Sequence, residues 1–167
     1  MTNTIRLLML TSSLALTACG FHLRGSDLKG AEYAFKSVYL KAPGETPFVA
    51  DLRRALTASK MAPTTAADQA ELVLEVVYEQ SNKQILSLSG SGRVQEYQLF
   101  YRVSLRAYDA KQVDWLPADE ISMSRILTYD DAQILAKEQE EAMLYKDMRA
   151  DAVAQSIRRL SRAKPQL

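Results

Sequence analysis

Polar and apolar side chains alternate with a period of two along three stretches of the chain. In residues 71–79, Leu72, Leu74, Val76 and Tyr78 fall between Glu71, Glu75 and Glu79, the spacing of a strand that buries one face and wets the other. Ile85 to Ser89 prolongs this strand beyond the irregular Ser81-Asn82, and Ser89-Gly90-Ser91-Gly92 turns the chain. Residues 95–108 then return with Tyr97, Leu99, Tyr101, Val103 and Leu105 on one face, so the pair predicts a long hairpin. Residues 121–129 repeat the alternation after a loop holding Trp115 and Pro117. A shorter strand is expected at residues 33–41, where Phe35, Val38, Tyr39 and Leu40 precede a Pro43-Gly44 turn.

Two other segments carry a helical period. Thr46 as N-cap and Pro47 at the first helical position open a helix that keeps Phe48, Val49, Leu52, Ala55 and Leu56 on one face to about Lys60. Residues 62–70 read as loop. A second helix is expected from Asp130 or Asp131 to about Ala163, stopped by Pro165, with Ala142, Tyr145, Met148, Val153, Ile157 and Leu160 as its apolar stripe. Its first turns, Lys137 to Glu141, are polar on every side, and a helix of about thirty residues reaches about 45 Å, more than a small sheet needs. The element order is βαβββα. It predicts an α+β fold, a two-layer sandwich with two helices packed on one face of a four-stranded, mostly antiparallel sheet, formed as a single domain by residues 33–167.

The start of the chain reads differently. Met1 to Arg6 carries one positive side chain and no acid, Leu7 to Leu16 is apolar apart from Thr11, Ser12 and Ser13, and small residues lead to Cys19. Ten residues fall short of the roughly 20 a membrane-spanning helix needs, but they suit a secretory signal. Leu16-Thr17-Ala18-Cys19 resembles a bacterial lipobox. Residues 1–18 are thus expected to be a lipoprotein signal peptide cut between Ala18 and Cys19. Cys19 would then carry an S-diacylglycerol and an N-palmitoyl group, at the head of a glycine-punctuated tether, residues 19–32. Gly20 stands where an aspartate commonly retains a lipoprotein in the inner membrane, so outer-membrane delivery is expected. The competing readings are an ordinary buried cysteine or a nucleophilic Cys19/His22 pair. The chain has one cysteine and one histidine, so no metal site can be completed from those two types alone.

The whole chain has 21 basic and 20 acidic residues. Cleavage would remove Arg6 alone among them, leaving a neutral domain without the overall basicity that attracts nucleic acid. Catalytic patterns are missing from the sequence as well: H-E-x-x-H, G-x-S-x-G, the phosphate-binding P-loop and the dinucleotide-binding glycine pattern. Ser87, Ser89 and Ser91 read as hairpin-tip residues, and Glu71, Glu75 and Glu79 as the wet side of a strand. Tyr97, Tyr101, Tyr108 and Tyr129 are expected to pack with their hydroxyls at the rim. No cofactor and no metal is expected.

The opening Cys19-Gly20-Phe21-His22-Leu23-Arg24-Gly25, the Glu96-Tyr97-Gln98-Leu99 start of the returning strand, and Ala132, Leu135-Ala136-Lys137, Lys146-Asp147-Met148 and Ile157-Arg158-Arg159-Leu160 together resemble the LptE family of lipopolysaccharide-assembly lipoproteins. The likeness runs over essentially the whole chain in the same order. It implies a non-enzymatic lipoprotein anchored on the periplasmic side of the outer membrane. Such a protein sits in the lumen of the β-barrel partner LptD as plug and assembly factor and binds lipopolysaccharide. Arg93 at the hairpin tip and Lys137 in the second helix are the candidate lipopolysaccharide-binding residues. Two alternatives stand beside it: a lipoprotein adaptor of a different outer-membrane envelope complex, and a periplasmic enzyme whose site is built from Asp, Glu and Tyr only.

Overall fold

A computed structural model describes residues 33–166. Strand β1 (Ser37–Lys41) leads to helix α1 (Pro47–Ala58), then to a two-residue strand β2 (Ala62–Pro63). Strands β3 (Leu72–Leu88), β4 (Val94–Tyr108) and β5 (Asp114–Thr128) follow, and helix α2 (Ile134–Leu160) ends the order. The expected βαβββα succession of two helices and four strands is therefore present. Residues 62–70, read as loop, add a short edge strand and a 3-10 turn, Ala67–Gln69.

The sheet order is β2-β1-β3-β4-β5. β3, β4 and β5 pair antiparallel, whereas β1 runs parallel to both β3 and β2, which makes the sheet mixed. Its parallel step arises because α1 crosses over between β1 and β3. α1 begins as its residues dictate: Thr46 Oγ1 accepts the Val49 N–H at 3.2 Å, Pro47 sits at the first position, and Phe48, Val49, Leu52 and Leu56 are buried. α2 starts later than its sequence suggested. Asp130 caps a 3-10 turn at Asp131–Gln133 by accepting the Ala132 N–H at 3.0 Å, and the α-helix runs only from Ile134. Of its expected stripe, Met148, Val153, Ile157 and Leu160 are buried, while Ala142 is exposed.

The core lies between the helices and one face of the sheet. It joins Phe48, Leu52 and Leu56 to Leu72, Leu74, Leu99, Leu105, Ile121, Leu127, Met148 and Leu160. Arg149 Nε on α2 donates to Asp51 Oδ2 on α1 at 2.9 Å and ties the helices together.

Two expectations about the strands are corrected. A bulge between Val76 and Tyr78 shifts the register of β3 against β4. Leu72, Leu74 and Val76 face the core, but Tyr78 leaves that face and Glu79 takes it. The three glutamates therefore do not share a wet side. Trp115 and Pro117, expected in a loop, lie within β5. β5 is an edge strand, where proline costs no ladder bond, and a second register shift between Leu105 and Ala107 takes up the irregularity.

Candidate functional site

β3 and β4 are longer than the layer that covers them. At about 3.3 Å per residue the hairpin reaches about 50 Å. Within β3, β1 covers only Leu72 to Glu75, and the buried residues of α2 all lie from Met148 onward. On the sheet the core reaches to Leu127, which pairs with Tyr97, and on α2 to Leu144 and Tyr145, so the first turns of α2 and the hairpin past Tyr97 extend beyond it.

Few contacts join these two overhangs. Lys83 Nζ bonds Glu141 Oε2 at 2.5 Å and lies 4.3 Å from the centroid of the Tyr97 ring. Tyr97 meets Tyr129 edge to face with centroids 5.1 Å apart, and the Tyr145 hydroxyl donates to the Asn82 carbonyl at 2.9 Å. At and beyond this belt the surface turns apolar. Ile85, paired with Tyr97, is 58% exposed, Leu88 54% and Leu135 76%, while Ile126, 57% exposed, lies on the opposite face of the sheet from the buried Leu127.

The tip is built by local chemistry. Ser89 donates its N–H to the Arg93 carbonyl at 2.7 Å, its hydroxyl accepts the Arg93 N–H at 3.0 Å, and its carbonyl accepts the Gly92 N–H at 2.9 Å. Gly92 has φ +78°, the left-handed conformation that closes such a turn and that a residue with a Cβ avoids. This folded tip holds the backbone of Arg93 while its side chain stands exposed. Lys137 sits one helical turn before Glu141 and pairs with Glu140 at 2.8 Å. Both cations thus lie on the overhang, though on different elements. Ala18 and Cys19 fall outside the described residues.

Lys83 and the exposed aliphatic residues were missed in the sequence. Lys83 interrupts a strand pattern without any motif of its own, and its partners are Tyr97 and Glu141, far along the chain. Ile85, Leu86 and Leu88 carry only a strand signal in the sequence; the end of the covering layer shows that they are bare.

At the covered end, chemistry is used for structure. Glu79 accepts hydrogen bonds from the hydroxyls of Tyr101 at 2.6 Å and Thr46 at 2.5 Å, fastening the bulged strand to the start of α1. Burial, and next the bond to the Glu79 carboxylate, push the Tyr101 phenol well above its usual range. No group of three His, Cys, Asp or Glu side chains able to hold a metal occurs among the described residues. No helix among them is long and apolar enough to cross a membrane.

Fold and overhang together define a class: small two-layer α+β domains whose central hairpin outgrows its helices. The family model described as LptE, lipopolysaccharide-assembly, matches residues 35–160. The chain belongs to the LptE family. Among solved structures it is similar to lipoprotein B from Nitrosomonas europaea, with 42% identity, a TM-score of 0.72, and coverage of 85% of this chain and 90% of that one. Rare lipoprotein B from Shewanella oneidensis is 26% identical with a TM-score of 0.63, covering 72% of this chain and 92% of that one. A minor lipoprotein from Acinetobacter baumannii shares the fold at 22% identity, with a TM-score of 0.66 and coverage of 81% and 99%. No curated protein matches the chain. The family it belongs to is one of lipopolysaccharide assembly, and the two structures of higher identity are lipoproteins.

Proposed function

We propose that this protein is the lipid-anchored partner of the LptD barrel in the outer membrane, with its hairpin overhang seated in the barrel lumen and in contact with lipopolysaccharide. Residues 1–18 are the signal peptide, Cys19 carries the acyl groups, residues 19–32 are the tether and residues 33–167 the working domain. Its role is non-enzymatic: it plugs the barrel and assists its assembly. The observation that carries the reading is the surface at and beyond the Tyr97–Tyr129 belt, where exposed Ile85, Leu88 and Leu135 lie on the same overhang as Arg93 and Lys137. Lipopolysaccharide joins phosphates to acyl chains, so a ligand of that kind is met by guanidinium and ammonium groups beside aliphatic side chains.

A photocrosslinker placed at Ser89 or Ser91 in intact cells tests this directly. It should trap the LptD barrel, whereas one at the fully buried Leu52 should not. Efficient barrel assembly without an adduct from any tip position, across several crosslinker lengths, would remove the hairpin as the inserted element.

A further inference from the structure

At the end of the sheet remote from the hairpin tip, β5 and the last turns of α2 enclose a cleft of about 670 Å³. Arg158, Arg159, Arg162 and Lys164 line it against a single carboxylate, Asp119. Asp119 is already engaged, since its Oδ2 accepts Arg159 Nη1 at 2.5 Å. Arg158 and Arg162 stand one helical turn apart, both exposed, and among the described residues neither meets a carboxylate.

Cations at a helix C-terminus commonly serve only to offset its dipole and cap its last carbonyls. Here those carbonyls are supplied from elsewhere. The Ile157 carbonyl accepts the Ser161 N–H at 2.9 Å, that of Arg159 the Arg162 N–H at 3.1 Å, and that of Leu160 the Ala163 N–H at 3.1 Å. The Arg158 carbonyl takes the Ser161 hydroxyl at 2.9 Å. The guanidinium groups of Arg158 and Arg162 are therefore left to face the cleft. The C-terminal segment is held in place because the Gln166 N–H donates to the Asp114 carbonyl at 2.8 Å, which sets Pro165 opposite Trp115 and Leu116 as apolar walls.

We propose that this cleft binds the anionic phosphate headgroup of a membrane phospholipid. Arg158 and Arg162 take the phosphate oxygens through their fork of N–H donors, and Trp115 packs against the glycerol end. The mixed lining argues for a headgroup over free phosphate, which would gain nothing from apolar walls. Position agrees with this. Tyr33 packs on Phe35 with ring centroids 5.7 Å apart, and Phe35 on Trp115 at 6.2 Å, so the described chain enters the domain beside the cleft. Where the membrane lies rests on the lipid-anchor reading; headgroup binding does not, and it is independent of the hairpin.

Trp115 is the chain's one tryptophan, so its emission reports on this wall alone. The full chain is reconstituted into phosphatidylcholine vesicles containing increasing phosphatidylglycerol, and acrylamide quenching of Trp115 is measured. Protection should rise saturably with phosphatidylglycerol. Arg158→Glu with Arg162→Glu should raise the fraction needed for half-protection about tenfold, with unchanged circular dichroism; Arg158→Gln with Arg162→Gln serves if the reversal fails to fold. Arg93→Glu should leave the curve where it was. Equal quenching with and without phosphatidylglycerol overturns the proposal, as does an Arg93→Glu curve shifted as far as the double variant's. Equal protection by inorganic phosphate over pure phosphatidylcholine overturns the headgroup as its source.

Discussion

The two halves of the β3–β4 hairpin are made from the same alternating pattern and meet opposite fates. Near β1, Leu72, Leu74, Val76, Val103 and Leu105 are all buried beneath the helices. Further out, Ile85, Leu86 and Leu88 continue the strand and remain between 44% and 58% exposed. Strand pairing continues to Leu88 and Val94, so the ladder alone does not distinguish the halves. What distinguishes them is the second layer, and that divides the labour: one half holds the fold, the other is free to meet a partner.

Truncation tests this division most severely. Leu105→Ala should cost about 2–5 kcal/mol, the usual penalty for emptying a core position, read by chemical denaturation of the domain. Leu88→Ala should stay within about 0.5 kcal/mol, as surface substitutions do. Similar losses at both positions would mean that the far half also carries the fold, and the comparison would fail.

Next in size is the fastening of the bulge. Tyr101→Phe removes one of the two hydroxyls bonded to Glu79 and should cost about 1–2 kcal/mol. The same contact fixes a pH dependence. The folded phenol titrates above the unfolded value of about 10, so its contribution is complete below that pH and is lost as pH rises beyond it. Stability of the parent should therefore fall in strong alkali more steeply than that of Tyr101→Phe. Parallel pH curves for the two proteins would detach Tyr101 from that loss.

The contrast between halves also explains how far the sequence could be read. Period-two burial made Leu72, Leu74, Leu99 and Leu105 plain, and Thr46-Pro47 marked the start of α1. The bulge at Val76 was hidden because one extra residue leaves composition unchanged while turning Glu79 onto the core face. Pro117 masked the start of β5, since proline argues against a strand until that strand is known to lie at an edge. β2 has two residues, too few for any period, and the parallel pairing of β1 with β3 depends on a crossover no local pattern records. At the candidate site Arg93 and Lys137 came from the family likeness. Lys83 and the exposed aliphatics needed the third dimension, because their roles depend on where the covering helices stop.

A smaller effect is expected at the tip. Gly92→Ala places a Cβ at φ +78°, with open space around it, so backbone strain of about 1–2 kcal/mol is the only cost. Because the tip lies beyond the core, that cost should appear as faster amide exchange from Ser89 to Arg93 with little change in the global unfolding midpoint. A full shift of the midpoint would show that tip and core unfold as one.

The smallest effect on stability should accompany the largest on binding. Arg93 stands exposed on the tip, and Lys137, half-buried in the first turns of α2, pairs with the exposed Glu140, an i,i+3 contact worth about 0–1 kcal/mol. Reversing both to Glu removes that pair and no core side chain, so the denaturation midpoint and circular dichroism should stay close to those of the parent. Lipopolysaccharide binding should nevertheless weaken, and more at low salt than at high, because the lost attraction to phosphate is screened beyond about 10 Å at 0.1 M ionic strength. The two readouts separate the halves of the hairpin more cleanly than either alone. A variant with parent stability and weaker, salt-sensitive binding places recognition on the overhang. Unaltered binding at low salt would take both cations out of the site and leave the exposed aliphatics at and beyond the Tyr97–Tyr129 belt as the surface to test.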